Sequence, residues 1–130
     1  MFAKNALSLD GSISNLSSGL ALPNDRTIKI SVITGPSTGL THRLTKAKTS
    51  IGQVGGGADI EINDPQVSRW HCVVGLTEDM IRLCDLDSAN GTYVNDERIQ
   101  ATDLEHLSEF RIGSTWFMVV ISRKHSAQPE

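Results

Sequence analysis

Thr27-Ile28-Lys29-Ile30-Ser31-Val32-Ile33 alternates apolar and polar side chains, with Ile33 extending the apolar character at its end. A pleated strand has a side-chain period of two, so Ile28, Ile30 and Val32 share one face and Lys29 and Ser31 the other. Gly35-Pro36-Ser37-Thr38-Gly39 follows, dense in turn residues, and Leu40–Leu44 makes the next run. Outward from there the pattern repeats in short runs at Thr49–Ile51, Asp59–Ile62, His71–Leu76, Met80–Leu86, Thr92–Val94, Arg98–Ile99, Glu109–Ile112 and Thr115–Ile121. Thr77-Glu78-Asp79 separates two of these as a hairpin centred near Glu78, which sets Cys72 and Cys84 roughly opposite each other. Asn95-Asp96 suits a type I′ turn, whose two central residues both need positive φ. No segment carries an i, i+3, i+4, i+7 stripe over three turns. Many short strands at hairpin spacing predict an all-β sandwich or barrel.

The chain has 130 residues, enough for one domain. Hydrophobic residues are 38% and charged residues 21%, a globular composition. Twelve Lys and Arg against 15 Asp and Glu leave a net charge of −3, which argues against a duplex nucleic-acid partner. No stretch approaches the roughly 18 apolar residues of a membrane helix, and the opening residues do not read as a signal peptide. Two cysteines are too few for a disulfide scaffold. The expectation is a cytoplasmic monomer without membrane contact. Residues 1–26, rich in Ser and Asn, read as a flexible, disordered leader, in which Ile13, Leu16 and Leu20 allow a short helical turn. Residues 27–122 form the domain and 123–130 a polar tail.

Three loops hold polar residues that turn geometry alone does not require. Ile51-Gly52-Gln53-Val54-Gly55-Gly56-Gly57-Ala58-Asp59 allows close backbone approach and an anion-binding nest of amides, or simply a flexible connector. It is no P-loop, because no helix follows it and it has no Gly-Lys-Ser/Thr. Asn63-Asp64-Pro65-Gln66-Val67-Ser68-Arg69-Trp70-His71 opens with a turn and sets Ser68-Arg69 just before an apolar strand. Asp85-Leu86-Asp87-Ser88-Ala89-Asn90-Gly91-Thr92 holds a tight turn at Asn90-Gly91. Read singly, Ser68 and Asn90 are turn residues bonding their own backbone.

In this order, Ile51-Gly52-Gln53, Ser68-Arg69-Trp70-His71, Asp85 through Asn95, and Ile112-Gly113 resemble the forkhead-associated (FHA) domain of bacterial type. The resemblance runs from Ile28 to about Ile121. It implies a two-sheet antiparallel β-sandwich of the FHA/SMAD-like kind, with the three loops gathered at one end. It also implies a non-catalytic module that binds a threonine-phosphorylated protein in Ser/Thr kinase signalling. A phosphothreonine offers three acceptor oxygens and nearly two negative charges. By resemblance, Ser68 donates to the phosphate, and Arg69 supplies a cation and a guanidinium fork. Asn90 bonds the peptide backbone just after the phosphothreonine, and Gln53 stands where the family has an arginine. Gly52, His71, Gly91 and Thr92 support the loops, with His71 buried behind Ser68. The chain departs from the pattern at Gln53, which brings no charge, and at Ala89, where the family usually has a hydroxyl. Both keep open a phosphate-independent interaction module on the same fold.

Other groups carry less. A zinc site on Cys72, Cys84 and His71 lacks CxxC spacing and a fourth ligand, so the thiols read as buried and free. Ser68 and His71 alone do not make a hydrolase, which also needs an orienting acid and an oxyanion hole. No enzyme activity, metal or cofactor is expected. His42, His106 and His125 read as surface residues, and Phe110, Trp116 and Phe117 as core and edge. Trp70 reads as packed, with exposure beside a bound peptide as the alternative.

Overall fold

The computed structural model describes residues 19–124. The chain forms strands β1 (Arg26–Thr34), β2 (Thr41–Arg43), β3 (Lys48–Gln53), β4 (Ile60–Ile62), β5 (Cys72–Leu76) and β6 (Ile81–Asp85). It continues with β7 (Thr92–Val94), β8 (Glu97–Ile99), β9 (Ala101–Leu104), β10 (Glu109–Ile112) and β11 (Thr115–Arg123). They make a five-stranded sheet ordered β9-β6-β5-β3-β4 and a six-stranded sheet ordered β2-β1-β11-β10-β7-β8. The FHA-like sandwich is therefore present. Among the described residues no helix is long and apolar enough to cross a membrane.

The alternation in β1 is read out as expected: Ile28, Ile30 and Val32 are buried between the sheets. On one side β1 pairs with β2, and on the other with the last strand, β11, in a ladder running from Thr34↔Trp116 to Arg26↔Arg123. From the five-stranded sheet, Ile51, Ile62, Val74, Leu76 and Leu83 meet them in the same cluster. Phe110 and Phe117 face each other across β10 and β11 with rings stacked 4.8 Å apart. Asn95 and Asp96 take φ of 52° and 65°, the conformation a type I′ turn demands.

The structure differs from the sequence reading at four points. First, β3 and β4 pair in parallel, Ile51↔Ile60 to Gln53↔Ile62, so the sandwich is not wholly antiparallel. The glycine loop between them carries the chain back to its starting end, where Ser50 N–H donates to the Asp59 carboxylate at 2.9 Å. Second, β9 was not anticipated. Ala101-Thr102-Asp103-Leu104 offers one large apolar residue, and as an edge strand it pairs only with β6.

Third, the hairpin loop is Glu78-Asp79, closed by Thr77 N–H donating to the Met80 carbonyl. That shifts the register by one residue, so Cys84 faces Val73 and Cys72 faces Asp85. A one-residue shift exchanges the faces of a strand. Cys72 enters the inter-sheet core while Cys84 joins Val73 on the outer side, so they cannot share a bond or a metal ion. Burial pushes both thiols up from their ordinary value.

Fourth, Leu20 packs on the Val73–Cys84 cluster, and Ala21 N–H donates to the Leu76 carbonyl at 2.9 Å. The packed region thus begins before residue 27, the boundary read from sequence. The rest of the leader, with Ile13 and Leu16, and the tail from 125 lie outside the described residues.

The stacked aromatic pair should dominate the core. Phe117→Ala is expected to cost about 3–5 kcal/mol of unfolding free energy, read by denaturant melts. A loss below about 1 kcal/mol would mean the site collapses around the deletion and the pairing is not tight.

Candidate functional site

The loops after β3, before β5 and after β6 are fastened to one another by backbone and side-chain bonds. Gln53 N–H donates to the Ser68 carbonyl at 3.0 Å. Ala89 N–H donates to Ser68 Oγ at 3.0 Å, and Asn90 Nδ2 donates to the Gln66 carbonyl at 2.8 Å. Ser68, Gln53 and Asn90 are therefore brought together.

His71 stands behind them with 0% of its surface exposed. Its Nδ1 accepts the Ser68 N–H at 3.0 Å, and Nε2 lies 2.9 Å from the Gly91 carbonyl. Nδ1 must then carry a lone pair, so the proton sits on Nε2 and is donated to Gly91, an assignment made from the hydrogen-bond network. Burial holds the imidazole below its ordinary 6.5, against the pull of the Gly91 carbonyl and of Asp85 and Asp64. The neutral ring is a rigid strut between two loops.

Two glycines are required by close approach. A Cβ on Gly52 would overlap the carbonyl oxygen of Arg69. Gly91 has φ +91°, and the Arg98 guanidinium lies where its Cβ would stand. Thr92, fully buried, donates its hydroxyl to Asp85 Oδ1 at 2.7 Å. Ser88 Oγ donates to the same oxygen and accepts Gly91 N–H at 3.0 Å. Asp85 thus gathers its own loop inward.

Asp64 does the same for the loop before β5, a role the sequence reading missed. Its carboxylate is wholly buried. Oδ1 accepts Gln66 N–H at 3.0 Å, and Oδ2 accepts Ser114 N–H at 2.9 Å, Ser114 Oγ–H and Thr115 Oγ1–H. Burial raises its pKa, but those four hydrogen bonds outweigh burial and hold the carboxyl below 3.8. Gln66 is local, but Ser114 and Thr115 lie 50 and 51 residues away in sequence, so no local signal announces them. Gln53 Nε2 donates to the Asp64 carbonyl at 3.1 Å, which ties the side chain standing at the family's arginine position.

The charge balance also changes. From sequence the loops hold one cation, Arg69, amid Asp59, Asp64, Asp85 and Asp87. In the structure Asp59 pairs with Lys46 at 2.7 Å, and Asp64 and Asp85 are engaged by hydrogen bonds. A second cation joins: Arg98 crosses from β8, its Nη2 donating to the Ser88 carbonyl at 3.3 Å. Its position was implicit in the Asn95-Asp96 turn, whose register pairs Tyr93 with Arg98. Arg69 is exposed, its aliphatic stem lying on Gly56. Trp70 is 46% exposed rather than packed, because glycines beneath it offer no side chains to bury it. Among the described residues no three His, Cys, Asp or Glu side chains gather to hold a metal.

Asp64→Asn puts an amide or an unmatched oxygen against donors and should cost about 2–3 kcal/mol of stability. The carboxyl is more acidic folded than unfolded, so its contribution is complete above pH 3.8 and fades as pH falls through the lowered folded value. Thermal melts should therefore show the gap between wild type and Asp64→Asn holding from pH 6 to about pH 4 and narrowing below 3.8. A constant gap would remove the carboxylate's charge from the explanation.

Residues 31–123 match the family model of the inner membrane component of the type III secretion system, cytoplasmic domain (Yop-YscD). The chain is 37% identical over 79 residues to the glycogen accumulation regulator GarA of Mycobacterium tuberculosis, covering 61% of this chain and 48% of GarA. It thus spans about half the length of the first curated relatives it matches. It is similar to an FHA domain solved in a structural and functional analysis of phosphothreonine-dependent FHA interactions. That likeness has TM-score 0.65 at 28% identity over 72% of this chain and 95% of that one. Mycobacterium tuberculosis EmbR, solved with a low-affinity phosphopeptide, matches with TM-score 0.68 at 28% identity, over 88% of this chain and 30% of EmbR. The chain belongs to the forkhead-associated domain family, and its residues 31–123 to the Yop-YscD cytoplasmic-domain family that shares the fold.

Proposed function

We propose that the loop end binds phosphothreonine in a protein partner, and that the chain is a non-catalytic, cytoplasmic adaptor in Ser/Thr kinase signalling. The observation that carries this is the state of the Ser68 hydroxyl. Its oxygen already accepts the Ala89 N–H, which leaves its proton to donate to a phosphate oxygen. Arg69, exposed and without an ion-pair partner among the described residues, adds the cation. Asn90 has its amide engaged by Gln66, so its Oδ1 accepts from the peptide N–H following the phosphothreonine. Gly52, His71, Gly91 and Thr92 hold these groups in place. Two similar FHA structures, one from an analysis of phosphothreonine-dependent interactions and one solved with a phosphopeptide, support the same reading.

Gln53 favours a second reading, a phosphate-independent interaction module. It brings no charge, and its amide is turned to the Asp64 carbonyl. Calorimetry with a phosphothreonine peptide library and its unphosphorylated twin separates the two: saturable, phosphate-dependent binding supports the first, and its absence supports the second.

Two substitutions sharpen the test. Ser68→Ala should weaken phosphopeptide binding by roughly 1.5–3 kcal/mol, with only a small fall in melting temperature because the released Ala89 N–H turns to water. Unchanged affinity would remove Ser68 from the site. Gln53→Arg should tighten binding about tenfold, less at high salt, whereas Gln53→Met should not. No gain from the arginine would favour the phosphate-independent module.

A further inference from the structure

Beside Ser68 and Arg69, the loop end presents an apolar surface that the phosphate-binding groups do not use. Trp70 is 46% exposed and Val54 is 51% exposed. Both border the glycine loop. The stem of Arg69 lies on Gly56, and Trp70 Cζ2 is 3.8 Å from where a Cβ on Gly57 would stand. A side chain at 56 would collide with the Arg69 stem, and at Gly57 the Trp70 ring lies in contact range of the loop, so the glycines make a shelf for them. Glu61 edges that shelf, its Oε2 accepting the Gly57 N–H at 3.0 Å. An indole left nearly half exposed against a loop is an unusual arrangement for a residue with only a packing role, since burial of its large apolar area is what would stabilise it.

The shelf also has a direction. Ser68 is bonded to two loops: its Oγ accepts the Ala89 N–H of the Asn90 loop, and its carbonyl accepts the Gln53 N–H that opens the glycine loop, against which Arg69 and Trp70 lie. Resting on the phosphothreonine reading above, in which Asn90 takes the residue after the phosphothreonine, we infer that Trp70 and Val54 select an apolar side chain on the amino-terminal flank of the bound peptide. Apolar contact with the indole face favours Leu, Val or Phe there. The Glu61 carboxylate disfavours Asp or Glu at the same place by like-charge repulsion. Trp70 is thus a specificity-determining residue, and Ser68 with Arg69 remains the phosphate site.

The test is fluorescence anisotropy with phosphothreonine peptides that vary one amino-terminal flanking position at a time among Leu, Ala and Asp, each beside its unphosphorylated twin. At one such position the wild type should prefer Leu to Asp by roughly tenfold. In Trp70→Ala that ratio should fall to about twofold or less, and Trp70→Phe should restore most of it. Trp116→Phe leaves Trp70 as the sole indole, and its emission should shift to shorter wavelength with the Leu peptide more than with the Asp peptide. Phosphate-dependent binding with the Leu preference intact in Trp70→Ala would overturn the inference while sparing the phosphothreonine reading. Equal binding of phosphorylated and unphosphorylated peptides by the wild type would overturn the phosphothreonine reading itself.

Discussion

A neutral imidazole buried between two loops is the constraint on which the binding end depends. His71 can accept on one edge and donate on the other, and its ring is rigid, so it sets the spacing between Ser68 N–H and the Gly91 carbonyl. No other uncharged side chain offers an acceptor and a donor on a rigid planar ring. Both groups are out of water, where an unpaired backbone N–H or C=O carries its full desolvation cost. The two loops are therefore coupled: loosening one leaves the other with an unmet polar group. A loop held this way before a ligand arrives need not be ordered on binding, which is the physical content of preorganisation.

Two carboxylates extend the same principle. Asp85 draws Ser88 and Thr92 inward, and Asp64 joins the loop before β5 to Ser114 and Thr115 in the opposite sheet. Each accepts hydrogen bonds that offset burial of its charge. The consequence reaches the surface. With these acids engaged by hydrogen bonds and Asp59 paired to Lys46, Arg69 and Arg98 face fewer free carboxylates near Ser68, of which Asp87 and Glu61 remain exposed. An acidic chain can in this way present a face suited to an anion.

Much of this was legible in the residues. The period-two pattern of β1 assigned Ile28, Ile30 and Val32 to the core, and Asn95-Asp96 announced its turn, because both signals are local. Failures came where one residue of register or a distant partner decides the outcome. A hairpin centred on Glu78 sets Cys72 opposite Cys84, whereas the two-residue loop Glu78-Asp79 places them on opposite faces. β9 escaped because an edge strand with a single large apolar residue carries almost no pattern. The parallel β3–β4 pair hid behind a loop that reads like a hairpin connector. At the site, the resemblance pointed to Ser68, Asn90 and His71, which the structure brings together. Asp64 was read as a turn starter because its hydroxyl partners come from residues 114 and 115. Gln53 was visible as a departure, but not that its amide would bond the Asp64 carbonyl.

The binding end rests on His71 as a neutral strut with its proton on Nε2. Long-range ¹H–¹⁵N NMR of the imidazole, recorded from pH 7.5 down to pH 5.5, reads the tautomer and its charge directly. The neutral strut predicts an unprotonated Nδ1 and a protonated Nε2 at pH 7.5, with the midpoint of ring protonation below 6.5 because burial holds the group there. A ring carrying its proton on Nδ1, or an imidazolium forming near pH 6.5 as it would in water, would contradict it.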